Sequence, residues 1–294
     1  MSAPGLNVIG CGRAARTLAA IWQRTAVLET IAILNRSAES AVAAAEFVGA
    51  GKAVSDLSQM AAAEFWMIGV GDDRISGVAD ALAASGLLRP GDVVFHLSGA
   101  HGSDKLASCR DAGARCASLH PAHSFADPGR SLSAITGCRC VVEGDSTAID
   151  ALRPLVVALE AVLLEIDPAQ KIVYHAGMVF ASNYVVALLG DALTAVGAAG
   201  IPDSEAAELL RPLLLGSAAN ALEYGVEDAL TGPIARGDAT LVAAQLEALE
   251  RVLPGVAARY RALGLAASAI ARRADSADLE ALARIEALLG RERG

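Results

Sequence analysis

The chain has 294 residues, enough for two ordinary domains, and its 24 Lys and Arg stand against 33 Asp and Glu for a formal charge of −9. With no basic cluster, that balance argues against nucleic acid or an acidic membrane surface as a partner. Hydrophobic residues reach 54% and aromatics only 4%, so the core is built from Ala, Leu and Val, which suits close helix packing rather than an aromatic-rich sandwich.

Met1 to Gly5 carries no positive side chain and runs straight into a strand-like segment, so a signal peptide is not expected. Cys11, Cys109, Cys116, Cys138 and Cys140 include no Cys-x-x-Cys pair. Reduced thiols and a cytoplasmic location are expected. Leu6–Ile9 reads as a strand, followed by a Gly-rich turn and a helix to about Gln23. Thr30–Leu34 is a second strand, then an Ala-rich helix starts at Ser37. Phe65–Ile68 and Val93–Phe95 are near-continuous apolar runs, as parallel strands covered on both faces should be. Ala114–Ser118, Cys138–Glu143 and Val162–Ile166 extend the sheet, with Cys138 and Cys140 on one strand face. After Asp167-Pro168 nearly everything has helical periodicity, broken at Gly200-Ile201-Pro202, Thr231-Gly232-Pro233 and Pro254-Gly255. The order implies a doubly wound α/β domain with a parallel sheet over residues 1–166, then an all-helical domain over 167–294. The apolar stretch Gly177–Ile201 is long enough to cross a membrane. It contains Asn183, Asp191 and several small residues, and is expected to be a buried helix instead.

Gly10-Cys11-Gly12-Arg13-Ala14-Ala15 follows the first strand and opens a helix. In that context Gly-x-Gly-x-x-Ala is the phosphate turn of a dinucleotide-binding Rossmann domain. The first Gly permits the tight turn, the second lets backbone approach a pyrophosphate, and the small third residue lets helix and strand pack closely. An NAD site would place a carboxylate at the end of the second strand; here Asn35-Arg36-Ser37 stands instead. A guanidinium and a hydroxyl can bind a 2′-phosphate, so NADP(H) is expected, although Ser37 also suits a helix cap.

Further along the carboxyl edge come Gly69-Val70-Gly71, whose backbone can approach the cofactor, with Asp72 or Asp73 expected to cap the next helix. Then come His96-Leu97-Ser98-Gly99-Ala100-His101 and His120-Pro121-Ala122-His123, with Ser98 assigned to the cofactor. Four of the five histidines fall on this edge. They can act as proton donors, bind a metal (though the spacings match no ligand pattern), or be structural strand-end groups. His120 is the foremost candidate. In the helical half, His175, Ser182 and Asn183 share roughly one helix face, Lys171 is expected to be solvated in the first turn, and Arg236 in Thr231–Asp238 could pair with a substrate anion.

Together, Ser98-Gly99-Ala100, His120-Pro121 through Asp127, Tyr174-His175-Ala176 through Asn183, and Thr231 through Asp238 resemble a bacterial family within the 6-phosphogluconate and β-hydroxyacid dehydrogenase superfamily. Its members join a Rossmann-like domain to a helical domain of unknown function and are named as NADP oxidoreductases without an assigned reaction. Pyrroline-carboxylate reductase is also similar at the turn. The resemblance implies a 6-phosphogluconate-dehydrogenase-like helical domain, a homodimer formed through it, and in some members a deazaflavin coenzyme, for which no residue pattern here speaks. β-Hydroxyacid dehydrogenases carry a helix Lys with Asn four residues on; here His175 follows Lys171 at that spacing. His120, His175 and Asn183 are therefore the expected catalytic contacts, to a small polar substrate in the interdomain cleft. The rival expectation is a non-catalytic NADP(H)-binding sensor.

Overall fold

The computed structural model describes residues 2–290, in two compact units that meet in the chain at Ser182 and Asn183. The first unit holds β1 (Gly5–Ile9), α1 (Arg13–Arg24), β2 (Glu29–Leu34), α2 (Ala38–Val48), β3 (Lys52–Val54), β4 (Phe65–Ile68) and α3 (Ile75–Ala84). It continues through β5 (Val93–His96), α4 (Ala107–Asp111), β6 (Arg115–Pro121), α5 (Pro128–Ala134), β7 (Arg139–Gly144), α6 (Ser146–Ala158), β8 (Val162–Glu165) and α7 (Lys171–Ala181). The eight strands form one sheet in the order β3-β2-β1-β4-β5-β6-β7-β8.

Alternation along the central strands explains the layering. Leu6, Val8, Phe65, Met67 and Phe95 pack on one face with Leu18 and Trp22 of α1 and Leu152 and Leu155 of α6. Ile9, Trp66, Ile68 and Val94 pack on the other, with Ile75, Ala79 and Leu82 of α3. Both faces are covered, so the central strands are apolar throughout. The expected all-parallel sheet needs one correction: β7 runs antiparallel to β6, while every other pair is parallel. The link between them holds only α5, of seven residues, and β7 re-enters the sheet from the edge where β6 leaves it. A parallel neighbour would need a full crossover to the opposite edge. β3, three residues long, is too short to leave a period-2 signature.

The second unit contains α8 (Asn183–Ala198), α9 (Asp203–Tyr224), α10 (Val226–Ala229), α11 (Ala239–Val252), α12 (Pro254–Arg273) and α13 (Leu279–Leu289). Val242, Leu246, Ala257, Ile285 and Leu289 make its core. Asp238 and Asp278 cap α11 and α13 by accepting from Leu241 N and Ala281 N. The sequence boundary at 166 lies ahead of α7, whereas the compact units divide at its end, because Lys171 of α7 is buried among the strand ends.

The expected burial of the apolar stretch is overturned. Pro168–Ala198 is long and apolar enough to cross a membrane, with a mean hydropathy of 1.6, yet none of its most apolar window is buried. α8 buries no residue and α9 only Ala206. The core of the second unit is made by α11, α12 and α13, so the apolar faces of α8 and α9 find no cover within it. Ser182 (φ −126°, ψ −76°) also breaks the single helix expected there into α7 and α8.

Candidate functional site

The six strands from β3 to β6 in sheet order are mutually parallel, so their carboxyl ends form one edge, where ligands of open α/β sheets sit. Gly10 turns the chain there with φ +85°, and its amide donates to Leu34 O at 2.8 Å. A Cβ on Gly10 would stand 2.8 Å from Val70 N, and one on Gly69 2.7 Å from the Ala15 Cβ, so packing of the protein itself demands these glycines. Gly12 differs. Its φ of −73° is ordinary, and a Cβ there would approach nothing closer than Gly69 O at 3.8 Å. Nothing in the fold requires glycine at 12; a ligand lying against the backbone would. α1 has neither a capping side chain nor an acid in its first turn, which leaves the Arg13, Ala14 and Ala15 amides available to an anion.

This turn opens onto a cleft of about 970 Å³ lined by Gly10, Cys11, Gly12, Asn35, Arg36, Ser37, Gly69, Val70 and Gly71, while Arg13, Ala14 and Ala15 of the same expected set lie outside the lining. Arg16, Ser40, Ser55 and Arg74, which the sequence did not single out, line it too. Asn35 is a brace: its Oδ1 accepts from Cys11 N at 2.6 Å and its Nδ2 donates to Ser40 O at 2.8 Å. Ser37 accepts from Ser40 N and so caps α2, remaining exposed with Arg36 at the rim. Among the described residues Arg16, Arg36 and Arg74 form no ion pair, and the one acid lining the cleft is Asp73. Arg16 Nε is buried without a partner. The expected cap of α3 is absent: neither Asp72 nor Asp73 caps it. Burial pushes the Cys11 thiol up to about 12, so it is inert.

Ser98 lies outside this lining. It is buried, and its hydroxyl accepts from Ala100 N and His101 N, holding the turn after β5. His96 is structural as well: its Nδ1 accepts from Ser98 N at 3.2 Å and its Nε2 lies 2.9 Å from Gly102 O. Burial drives it down to about 4. His123 pairs with Ser131 and packs against Phe125. No group of three metal-ligating side chains occurs among the described residues.

His120, by contrast, meets two residues of α7. Its Nδ1 lies 2.8 Å from the Tyr174 hydroxyl, and its ring stands edge-on to His175 with centroids 6.0 Å apart. A Cβ on Gly99 would reach 2.6 Å from His175 and 2.9 Å from His120, so this glycine lets the two rings converge. Burial first, then the Lys171 and His175 charges, hold His120 down to about 4, while burial raises Tyr174 to about 12. Beneath them, Lys171 overturns the solvated reading: it is 1% exposed. Its Nζ donates to Ser98 O at 3.0 Å, bonds the Ser118 hydroxyl, and lies 3.9 Å from Glu143. Glu143 in turn accepts from the amide and hydroxyl of Ser103. Tyr174 and Glu143 went unassigned, and Lys171 was expected in solvent, because their partners are distant in sequence. Asn183 is exposed at the start of α8, and Arg236 is exposed in its loop; each belongs to the second unit.

Fold and site together define a Rossmann-like, NAD(P)-binding type of domain followed by a helical region. Residues 3–121 match the Rossmann-like domain, and residues 138–267 match the domain of unknown function DUF2520. The chain therefore has the two-part make-up that its motifs resemble. The His120–Tyr174 contact joins the two matched stretches. No curated protein matches the chain in sequence. Among solved structures, a Thermotoga maritima protein is similar at 26% identity and a TM-score of 0.69, over 91% of this chain and 98% of that one. A Bacteroides fragilis protein provisionally named an NADP oxidoreductase is similar at 18% and 0.75, over 90% and 98%. 1-Pyrroline-5-carboxylate reductase of Streptococcus pyogenes is similar at 18% and 0.60, over 98% and 100%.

Proposed function

We propose that the chain is an NADP(H)-dependent oxidoreductase of a small polar substrate with a reducible C=O or C=N bond. Gly12 carries this reading, since its bare backbone opens on a cleft that holds three arginines without ion pairs among the described residues. The Gly10–Ala15 turn and the uncapped start of α1 would hold the pyrophosphate, with Arg16 beside them. Arg36, Ser37 and Arg74 would hold the adenine ribose and its 2′-phosphate, where a guanidinium outperforms any carboxylate. Bound nicotinamide supplies or takes the hydride.

β4 and β5 are neighbours, and β6 is the next strand along the same edge. A nicotinamide passing Gly69 and Gly71 would thus reach toward Gly99 and His120, strands being about 4.8 Å apart. His120 stays neutral there and Tyr174 stays protonated. With the Tyr174 hydroxyl donating to Nδ1, His120 presents Nε2–H as the donor to a substrate heteroatom; as that proton leaves, Tyr174 passes its own to Nδ1, and the phenolate left behind takes a proton from solvent to close the cycle. His175 stands beside His120 on the same side of Gly99.

The protein is proposed to be cytoplasmic and a homodimer, the second copy covering α8 and α9. A membrane fits those helices less well, because Asp191 of α8 forms an ion pair with Arg259 at 2.5 Å. The test is NADPH consumption across small carbonyl and imine substrates, in the native protein and in His120→Gln and Tyr174→Phe. Turnover lost by 100-fold or more in His120→Gln is expected. Tight NADPH binding with no turnover of any substrate would favour the sensor instead.

A further inference from the structure

Lys171 belongs to no step proposed above, yet it is the most thoroughly enclosed cation among the described residues, at 1% exposure. Burying an ammonium costs several kcal/mol unless bonds and charge compensate. Here the compensation is built from three strands: Ser98 O after β5, Ser118 of β6 and Glu143 of β7. Two layers result. Ser118 and His120 lie two residues apart on β6, hence on one face of the strand. Lys171, Tyr174 and His175 stand at i, i+3 and i+4 of α7, hence on one face of the helix. The inner layer is Ser118 with Lys171; the outer is His120 with Tyr174 and His175.

We propose that Lys171 is a positioning residue: its ammonium, bound by Ser98, Ser118 and Glu143, pins the first turn of α7 so that Tyr174 and His175 converge with His120 over Gly99. This places the lysine behind the reacting groups. It rests on His120 as the donor of the proposed function only for its purpose, since the pinning itself is a property of the free protein. The same charge opposes a second proton on His120, as does His175, while Asp72 acts in the contrary direction.

The test follows the His120 ring by nitrogen-15 NMR in the cofactor-free protein across pH. In the native protein His120 holds one tautomer, with Nδ1 accepting, and titrates well below the ordinary histidine range. In Lys171→Met the tautomers mix and the midpoint rises by about one pH unit, as removal of a nearby like charge requires. Because that variant strands Glu143, the double variant Lys171→Met/Glu143→Gln is measured alongside it, and the same shift is expected. An unchanged His120 tautomer and midpoint in whichever variant folds would overturn the inference. NADPH binding, titrated on the same native sample, tests the cofactor reading alone. Loss of binding with the His120 shift intact refutes that reading and leaves the positioning role standing.

Discussion

Gly12 and Gly69 sit within one short stretch of the cleft but answer different demands. A methyl on Gly69 would lie 2.7 Å from the Ala15 Cβ, whereas one on Gly12 clears the protein by 3.8 Å. Gly69→Ala is thus expected to cost about 1–3 kcal/mol in stability, read as a lowered melting temperature. Gly12→Ala should melt as the native protein does and bind NADPH at least tenfold more weakly by fluorescence titration, a loss of about 1.4 kcal/mol. Arg36→Ala should weaken NADPH by a similar factor and leave NADH unchanged. These residues were legible in the sequence because the motif is local: turn, strand end and helix start are all encoded within a few positions. Lys171 was not. Its partners Ser98 and Ser118 lie 73 and 53 residues away, and a lysine in the first turn of a helix is ordinarily solvated. Asn35 shows a subtler limit, since its type and place are readable but its side chain braces the turn.

At the scale of elements, the strands of the sheet other than β3 were readable from apolar runs, and the carboxyl edge from the Gly and His residues that end them. The antiparallel β7 was not, because strand direction depends on where the connection re-enters and not on its composition. The edge also carries a pH dependence. His96 has a folded value near 4 against an ordinary 6.5, so the unfolded chain binds more protons between those values. Stability is then complete above about 6.5 and is lost as pH falls towards 4, by about 3 kcal/mol for this residue. His120, also held down to about 4, adds a slope of the same sign, so urea unfolding at several pH values should show both and His96→Gln should remove the His96 share. A slope of the opposite sign would mean that His96 gains its proton on folding.

For the molecule as a whole, composition pointed to helix packing built on Ala, Leu and Val, yet burial of the Gly177–Ile201 stretch was misread. Hydropathy reports that a face avoids water and is silent on what covers it. Val186 is 72% exposed and Leu213 64% exposed, more apolar surface than a free monomer ordinarily shows. Light scattering should therefore give twice the mass of one chain, and Val186→Glu/Leu213→Glu should give a monomer whose first unit keeps its fold. The central claim, a cleft shaped for a 2′-phosphorylated dinucleotide, is tested most directly by paired binding isotherms of NADPH and NADH to the native protein. NADPH binding at least tenfold tighter is predicted; equal affinities, or no binding of either, would contradict it.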